Sequence, residues 1–175
     1  NAHALAVSDS SQAPDLVILG DGPERSRVER TIREAGVADR VHLPGFQNYQ
    51  VLPTFYGLAE AFVHVSTAEQ WGLVINEAAA AGLPLLVSKP CGAAAELVQH
   101  GVNGYVVDPN STQEIAHSLK KLINMPTQTR DQFGAASQRV VWNWGPSRFS
   151  TGFQGACRVA IESRPPPLGL AHNML

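Results

Sequence analysis

Glu69-Gln70-Trp71-Gly72-Leu73-Val74-Ile75-Asn76-Glu77 is the stretch on which the reading of this chain turns. Two carboxylates stand eight positions apart with a glycine between them, and Glu77 leads into the helix-forming run Ala78 to Ala81. The pattern predicts a loop feeding a helix N-terminus. Trp71-Gly72 marks the bend, the helix starts near Leu73, and Gly82 stops it after about Ala81. Glu69 then sits on the loop and Glu77 about one turn inside the helix. The N–H groups of Gly72, Leu73 and Val74 lack intrahelical partners in such a helix. That end carries partial positive charge and favours a phosphate. A carboxylate in the adjoining helix accepts both hydroxyls of a ribose, and Glu69 remains as an acceptor for the hydroxyls of a second polar group. The stretch therefore reads as a site for an anionic group flanked by polyols, the description of a nucleotide-sugar. A plainer reading stands beside it: an acidic residue near a helix start is often only a partner of the helix dipole, worth about a few tenths of a kcal/mol.

Outward from this stretch, short apolar runs alternate with helical patterns. Asp15 to Gly20 holds a continuous apolar run, as expected of a strand buried on both faces. Gly20-Asp21-Gly22-Pro23 ends it, and Glu24 to Ala35 reads as an amphipathic helix with Val28, Ile32 and Ala35 on one face, closed by Gly36. Val41 to Phe46 is a second strand and turn. Gln47 to Leu58 looks helical, with Pro53 either kinking that helix or sitting in the first turn of a shorter one. Ala61 to Val65, Leu83 to Val87 and Tyr105 to Val107 are further strands. A short helical piece covers Ala93 to Val98. Ser111 with Glu114 three residues on forms a capping box for a helix to about Met125. Two more helices run from about Thr127 to Val141 and from Pro146 to Glu162. The alternation predicts an α/β fold, a Rossmann-like parallel sheet with helices on both faces. Ligands of such sheets lie outside the carboxyl ends of the strands. Glu69, the Gly20 turn, the Gly45 turn and Gly92 all fall just after strands and so share one edge.

Composition bounds the function. The chain has 175 residues, 44% hydrophobic and 16% charged, with a formal net charge of −2. That is enough for one domain with a real core, and there is no basic excess to suggest nucleic acid. No apolar run reaches transmembrane length, and Asn1-Ala2-His3-Ala4 lacks the features of a signal peptide. Cys91 and Cys157 lack metal-ligand spacing and read as reduced cytosolic thiols. The Gly20-x-Gly22 pair invites a dinucleotide reading. Arg25 stands where the third glycine of that fingerprint would fall, and no acidic residue follows a second strand at the right distance, which argues against a nicotinamide-dependent oxidoreductase.

Val63-His64-Val65-Ser66-Thr67-Ala68, the nine residues after it, and Ala78 through Ala81-Gly82-Leu83-Pro84 together resemble the Glu-x7-Glu motif of glycosyltransferase family 4. These are the group 1 retaining glycosyltransferases of GT-B fold, in which two Rossmann-like domains face each other across a cleft. The resemblance extends from about Asp15 to Ile161 and is to the second, donor-binding domain. It implies that Glu77 accepts the ribose hydroxyls and that Glu69 contacts hydroxyls of the donor sugar at the catalytic centre. It implies further that Trp71, Gly72, Leu73 and Val74 meet the sugar and diphosphate through their backbone. The Gly20 turn would lie near the donor, and Gly45 and Phe46 would form the wall beside the nucleobase, although a phenylalanine is more often core than a stacking platform. Glu96 matches a recurrent family acid or only braces its own helix. His64 reads as a structural neighbour of the site. Trp142-Asn143-Trp144-Gly145-Pro146, with the helix through Phe149 and Phe153, resembles the C-terminal segment that braces the first domain. The alternative is that these aromatics pack on this domain's own core.

The chain departs from the family pattern in places. Gln70-Trp71 stands where Gly-Phe is commoner, and Val65 where proline is common. The family's Arg and Lys that neutralise the donor diphosphate fall in a segment before this chain begins, and Lys89, the only lysine before Lys120, does not match them. The first strand of the domain and the acceptor domain are expected to be missing as well.

The resulting expectation is the donor-binding domain of a retaining glycosyltransferase that moves a hexose from a UDP- or GDP-linked sugar to a hydroxyl acceptor. No metal or other cofactor is expected. Residues 1–14 are expected to be a truncated N-terminal segment, 15–162 the nucleotide-sugar-binding domain, and 163–175 a proline-rich mobile tail. The chain is expected to be inactive without an N-terminal acceptor-binding domain, absent or on a separate chain. A cytoplasmic location, with peripheral membrane contact through that domain, completes the expectation. The alternative is a non-catalytic nucleotide-binding or interaction module of the same fold. The presence of both carboxylates weighs against it, because the fold alone does not require them.

Overall fold

Apolar runs become strands here, but their neighbours decide whether they are buried. The computed structural model describes residues 2–7 and 13–163. Along the chain the elements are α1 (Ala2–Val7), β1 (Leu16–Leu19), α2 (Arg25–Glu34), β2 (Val41–Gly45), α3 (Leu52–Leu58), β3 (Phe62–His64) and α4 (Leu73–Ala80). There follow β4 (Leu85–Ser88), α5 (Gly92–Leu97), β5 (Gly104–Val107), α6 (Thr112–Ile123), α7 (Thr127–Trp142) and α8 (Pro146–Glu162). All strand pairings are parallel, with β3-β4-β5 forming one sheet and β1-β2 another. The alternation expected from the sequence is present. The single sheet is not: among the described residues β1 pairs only with β2, and β3 only with β4.

The core sits at β4. It has a strand on each side, with Phe62 opposite Leu85 on one edge and Leu85 opposite Gly104 on the other. Leu85, Leu86 and Val87 are wholly buried, and each such side chain contributes about 1.5–3 kcal/mol relative to exposure. Leu86 packs with Val107 of β5, Ile115 and Leu122 of α6, Met125, and Phe133 of α7. On α4 and α5, Ile75, Ala78, Ala79, Ala93 and Leu97 are also fully buried.

β1 is different. Its apolar run predicts burial on both faces, yet Val17, Ile18 and Leu19 are 45%, 40% and 37% exposed. The physical reason is that β1 has a strand on one edge only. Leu16 and Ile18 line a cavity of about 430 Å³ with Val28 and Ile32 of α2, Val41 of β2, and His3 and Ala4 of α1.

The helix predicted from Gln47 is also shorter than expected. It begins at Leu52, and Pro53 lies in its first turn, where a missing N–H removes no intrahelical bond. Ser111 caps α6 as predicted, its hydroxyl accepting the Glu114 N–H at 3.2 Å. The Glu114 carboxylate accepts the N–H of Asp108 instead of returning to Ser111.

The chain divides into two units, Asn1–Val141 and Trp142–Leu175. In the second unit α8 has no buried residue. Phe149 and Phe153 stack with centroids 6.2 Å apart, and the Arg148 guanidinium lies over the Trp144 ring at 4.2 Å. Of the predicted tail, residues 164–175 lie outside the described residues, as do residues 8–12 of the predicted N-terminal segment.

Candidate functional site at the N-terminus of α4

The loop between β3 and α4 is fixed from below by the end of β4 and the start of α5. Ser88 donates its hydroxyl to the Ser66 carbonyl at 2.6 Å, and the Ser66 hydroxyl donates to the Ala68 carbonyl at 2.9 Å. Gly92 N–H reaches the Glu69 carbonyl at 3.2 Å, and Ala93 N–H reaches the Trp71 carbonyl at 3.0 Å. The carbonyls flanking Gln70 are thus occupied by the start of α5. Gly92 makes this possible, since a Cβ there would lie 2.0 Å from the Gln70 carbonyl oxygen.

Gly72 makes the bend that the sequence predicts. It caps α4 with φ of +91°, in the left-handed region, which disfavours a side chain by roughly 1–2 kcal/mol. A Cβ at Gly72 would also meet Ile75 Cδ1 at 2.9 Å and Glu69 Cγ at 3.3 Å. The helix then starts at Leu73, and the Ile75 N–H bonds to the Gly72 carbonyl at 2.9 Å. The N–H groups before Ile75 stand at the positive end of the helix, where an α-helix offers no carbonyl to them. Leu73 is exposed, and Val74 and Trp71 are half-buried. The Trp71 ring N–H donates to Asn76 Oδ1 at 2.8 Å, which joins the bend to the end of the first turn of α4.

An arc of rings runs between the two glutamates. The Tyr56 hydroxyl on α3 donates to Glu77 Oε2 at 2.8 Å. The Tyr56 ring lies 6.1 Å from Phe62, and Phe62 stacks on His64 at 6.2 Å. His64 Nε2 stands 3.7 Å from Glu69 Oε2. Burial, followed by the Glu77 hydrogen bond and charge, pushes the Tyr56 hydroxyl far above the usual tyrosine range, so it stays a donor. An ionised carboxylate has about four acceptor positions. One of those on Glu77 is taken by Tyr56, and the carboxylate retains capacity for a vicinal pair of hydroxyls.

The Gly20 and Gly45 turns meet at the carboxyl ends of β1 and β2. Gly20 N–H bonds to the Gly45 carbonyl at 3.0 Å. Arg25 clamps this corner, donating to the Leu43 carbonyl at 3.0 Å and to Glu29 at 3.0 Å, with Asp21 at 3.5 Å. Phe46, next to Gly45, is 80% exposed, so it is not a core residue. Glu96 is exposed on α5.

The structure thus gathers Glu69, Trp71, Gly72, Leu73, Val74 and Glu77 around one loop and helix start. It joins Gly20, Gly45 and Phe46 at the end of the other sheet. The sequence reading assigns no role to Tyr56 or Asn76 and does not include the clamping role of Arg25. Tyr56 lies 21 residues before Glu77 on another helix, a separation with no periodic signal.

A model of the group 1 glycosyl transferases matches residues 3–140. The chain is 36% identical over 111 residues to alpha-D-kanosaminyltransferase of Streptomyces kanamyceticus, covering 63% of this chain and 28% of that protein. It is 32% identical over 139 residues to a GDP-mannose-dependent alpha-(1-6)-phosphatidylinositol monomannoside mannosyltransferase of Mycobacterium tuberculosis, covering 74% of this chain and 36% of the relative. Among solved structures, Anabaena Alr3699/HepE in complex with UDP and glucose matches with a TM-score of 0.70 and 28% identity, over 91% of this chain and 44% of that one. Sucrose-phosphate synthase of Thermosynechococcus elongatus, at 24% identity and a TM-score of 0.76 over 92% of this chain and 42% of its own, shares the fold. The chain therefore spans between 28% and 44% of the length of these relatives. Its parallel α/β architecture is that of GT-B glycosyltransferases, and it belongs to the group 1 glycosyl transferase family.

Proposed function

We propose that this chain is the donor-binding half of a retaining hexosyltransferase of glycosyltransferase family 4. The observation that carries the reading is Glu77, its carboxylate oriented from α3, one turn inside a helix whose N-terminus begins at a left-handed glycine. The diphosphate of a UDP- or GDP-linked sugar takes the N–H groups at Gly72, Leu73 and Val74. Glu77 takes the ribose hydroxyls, and Glu69 faces the hydroxyls of the hexose. Transfer breaks the bond between the sugar carbon and the diphosphate oxygen, which leaves with the electron pair, and joins that carbon to the oxygen of an acceptor hydroxyl, whose proton passes to the departing diphosphate. Negative charge gathers on the diphosphate, where the helix N–H groups stabilise it. Gly45 and Phe46 form the side toward the nucleobase, with Gly20 behind them. Neither a metal nor another cofactor enters this scheme. The UDP in the HepE complex and the GDP-mannose dependence of the mannosyltransferase support a nucleotide-sugar donor.

An acceptor domain on a preceding segment or another chain belongs to the same proposal. Exposed Val17, Ile18 and Leu19, and the single strand partners of β1 and β3, support an additional parallel strand between them. That strand would give the order of a doubly wound sheet. Sugar transfer then requires that domain, and this chain alone binds nucleotide without turnover. A cytoplasmic location and peripheral membrane contact through the acceptor domain complete the proposal. No helix among the described residues is long and apolar enough to cross a membrane.

Calorimetric titration with UDP, GDP, ADP and a nicotinamide dinucleotide, repeated on Glu77→Ala, tests this reading. A hydrogen bond to a charged group is worth about 1.5–3 kcal/mol, so Glu77→Ala weakens the nucleotide that binds about tenfold or more. Equal binding by the variant, preference for the dinucleotide, or sugar transfer by the chain alone would each count against the proposal.

A further inference from the structure

We infer that Tyr56 is a positioning residue that presets the Glu77 carboxylate for a vicinal diol and so sets the preference for ribose over deoxyribose. The inference rests on the donor-site reading above and deepens it. Glu77 lies on α4, whereas Tyr56 lies on α3, a separate helix. Their hydrogen bond, Tyr56 Oη to Glu77 Oε2 at 2.8 Å, is the kind in which an ionised acceptor strengthens the bond.

A glutamate side chain on a helix has several rotatable bonds, and ordering it on ligand binding has an entropic cost. A carboxylate receives two adjacent hydroxyls only when its plane faces both. The bond from Tyr56 fixes one oxygen, and with it the plane, before any ligand arrives. Tyr56 is itself held: its ring packs at a tilt on Phe62 of β3, which belongs to the sheet that carries the core. The hydroxyl is the only polar atom of that side chain, so Tyr56→Phe removes the bond and keeps the ring.

The test measures affinity for the ribonucleoside diphosphate that binds, UDP or GDP, and for its 2′-deoxy form, on the parent chain, Tyr56→Phe and Glu77→Ala. Preorganisation of one such side chain corresponds to about two- to tenfold in affinity. In the parent chain the ribose form binds more tightly, and in Glu77→Ala the two forms bind alike. In Tyr56→Phe the ratio falls by about two- to tenfold, chiefly through the ribose form. A tyrosine that only supported the fold would weaken both forms together and leave the ratio unchanged, and that result overturns the inference while leaving the site reading intact. A parent chain that binds neither form, or a Glu77→Ala ratio equal to the parent's, overturns the site reading and the inference with it. A second measurement does not depend on binding. Burial and the bond to Glu77 disfavour the Tyr56 phenolate, so its ionisation is expected only as the protein unfolds, and Tyr56→Phe is expected to abolish that late step in tyrosinate absorbance. An alkaline titration that is the same in both proteins, apart from the lost residue's ordinary step, contradicts the hydrogen bond on which the inference stands.

Discussion

The α-carbon of Gly92 faces the carbonyl oxygen of Gln70 so closely that an added Cβ would lie 2.0 Å from it. The contact is backbone against backbone, and neither side can rotate away. Gly92 and Ala93 at the same time donate to the Glu69 and Trp71 carbonyls. The start of α5 therefore sets the position of the loop that carries Glu69. Gly92→Ala pushes that loop outward. Overpacking of this kind costs about 1–3 kcal/mol, and the displaced loop carries Glu69 and Gly72 with it. Thermal unfolding is expected to show the loss of stability, and nucleotide titration a loss of affinity in protein that remains folded. A Gly92→Ala variant with parental melting and parental affinity would show that this approach does not shape the site.

Asp15 ties β1 to the residues around β2. Its Oδ2 lies 2.7 Å from His42 Nε2, and its Oδ1 accepts from Arg40 Nε at 3.2 Å. The His42 hydrogen bond, opposed by partial desolvation and reinforced by Arg40, holds the Asp15 carboxyl below its ordinary value of 3.8. A carboxyl whose value is depressed on folding adds stability at every pH above its unfolded value, and that stability is lost as the pH falls through the folded one. The melting temperatures of the parent chain and Asp15→Asn are therefore expected to differ near neutrality and to converge as the pH drops below 3.8. The group is exposed, so the gap is small. A gap that stayed constant or widened as the pH fell below 3.8 would contradict the assignment.

The centre of this structure was legible from sequence because the deciding signals are local. A glycine after Trp71 followed by a run of alanines gives the bend and α4, and those features depend on residues within one or two turns. The apolar run Leu83 to Val87 gives β4, and its burial follows because strands flank it on both sides. The same kind of run at Leu16 to Leu19 forms a strand but leaves its side chains half-exposed. Hydrophobicity specifies what a strand tolerates, whereas its neighbours in space specify what covers it.

The parts of the site that sequence did not reveal are those made by pairs distant along the chain. Tyr56 lies three residues after Pro53 and directly before Gly57, in a stretch whose helical pattern is interrupted, and nothing local connects it to Glu77. Gly92 reads as one more turn after a strand. Its close approach to Gln70 exists only once α5 and the Glu69 loop pack together. Arg25 likewise reads as a defect in a glycine fingerprint, while in space it clamps the turn at Asp21 to the Leu43 carbonyl.

Amide chemical-shift mapping locates the nucleotide at the start of α4 or away from it. The ¹⁵N-labelled chain is titrated with the nucleoside diphosphate that calorimetry identifies. The largest shifts are expected at the amides of Gly72, Leu73 and Val74, smaller ones near Glu77 and the Gly45 turn, and their loss is expected in Glu77→Ala. Shifts concentrated instead on Val28, Ile32 and Val41, around the cavity beside β1, would place the ligand elsewhere and contradict the proposed site.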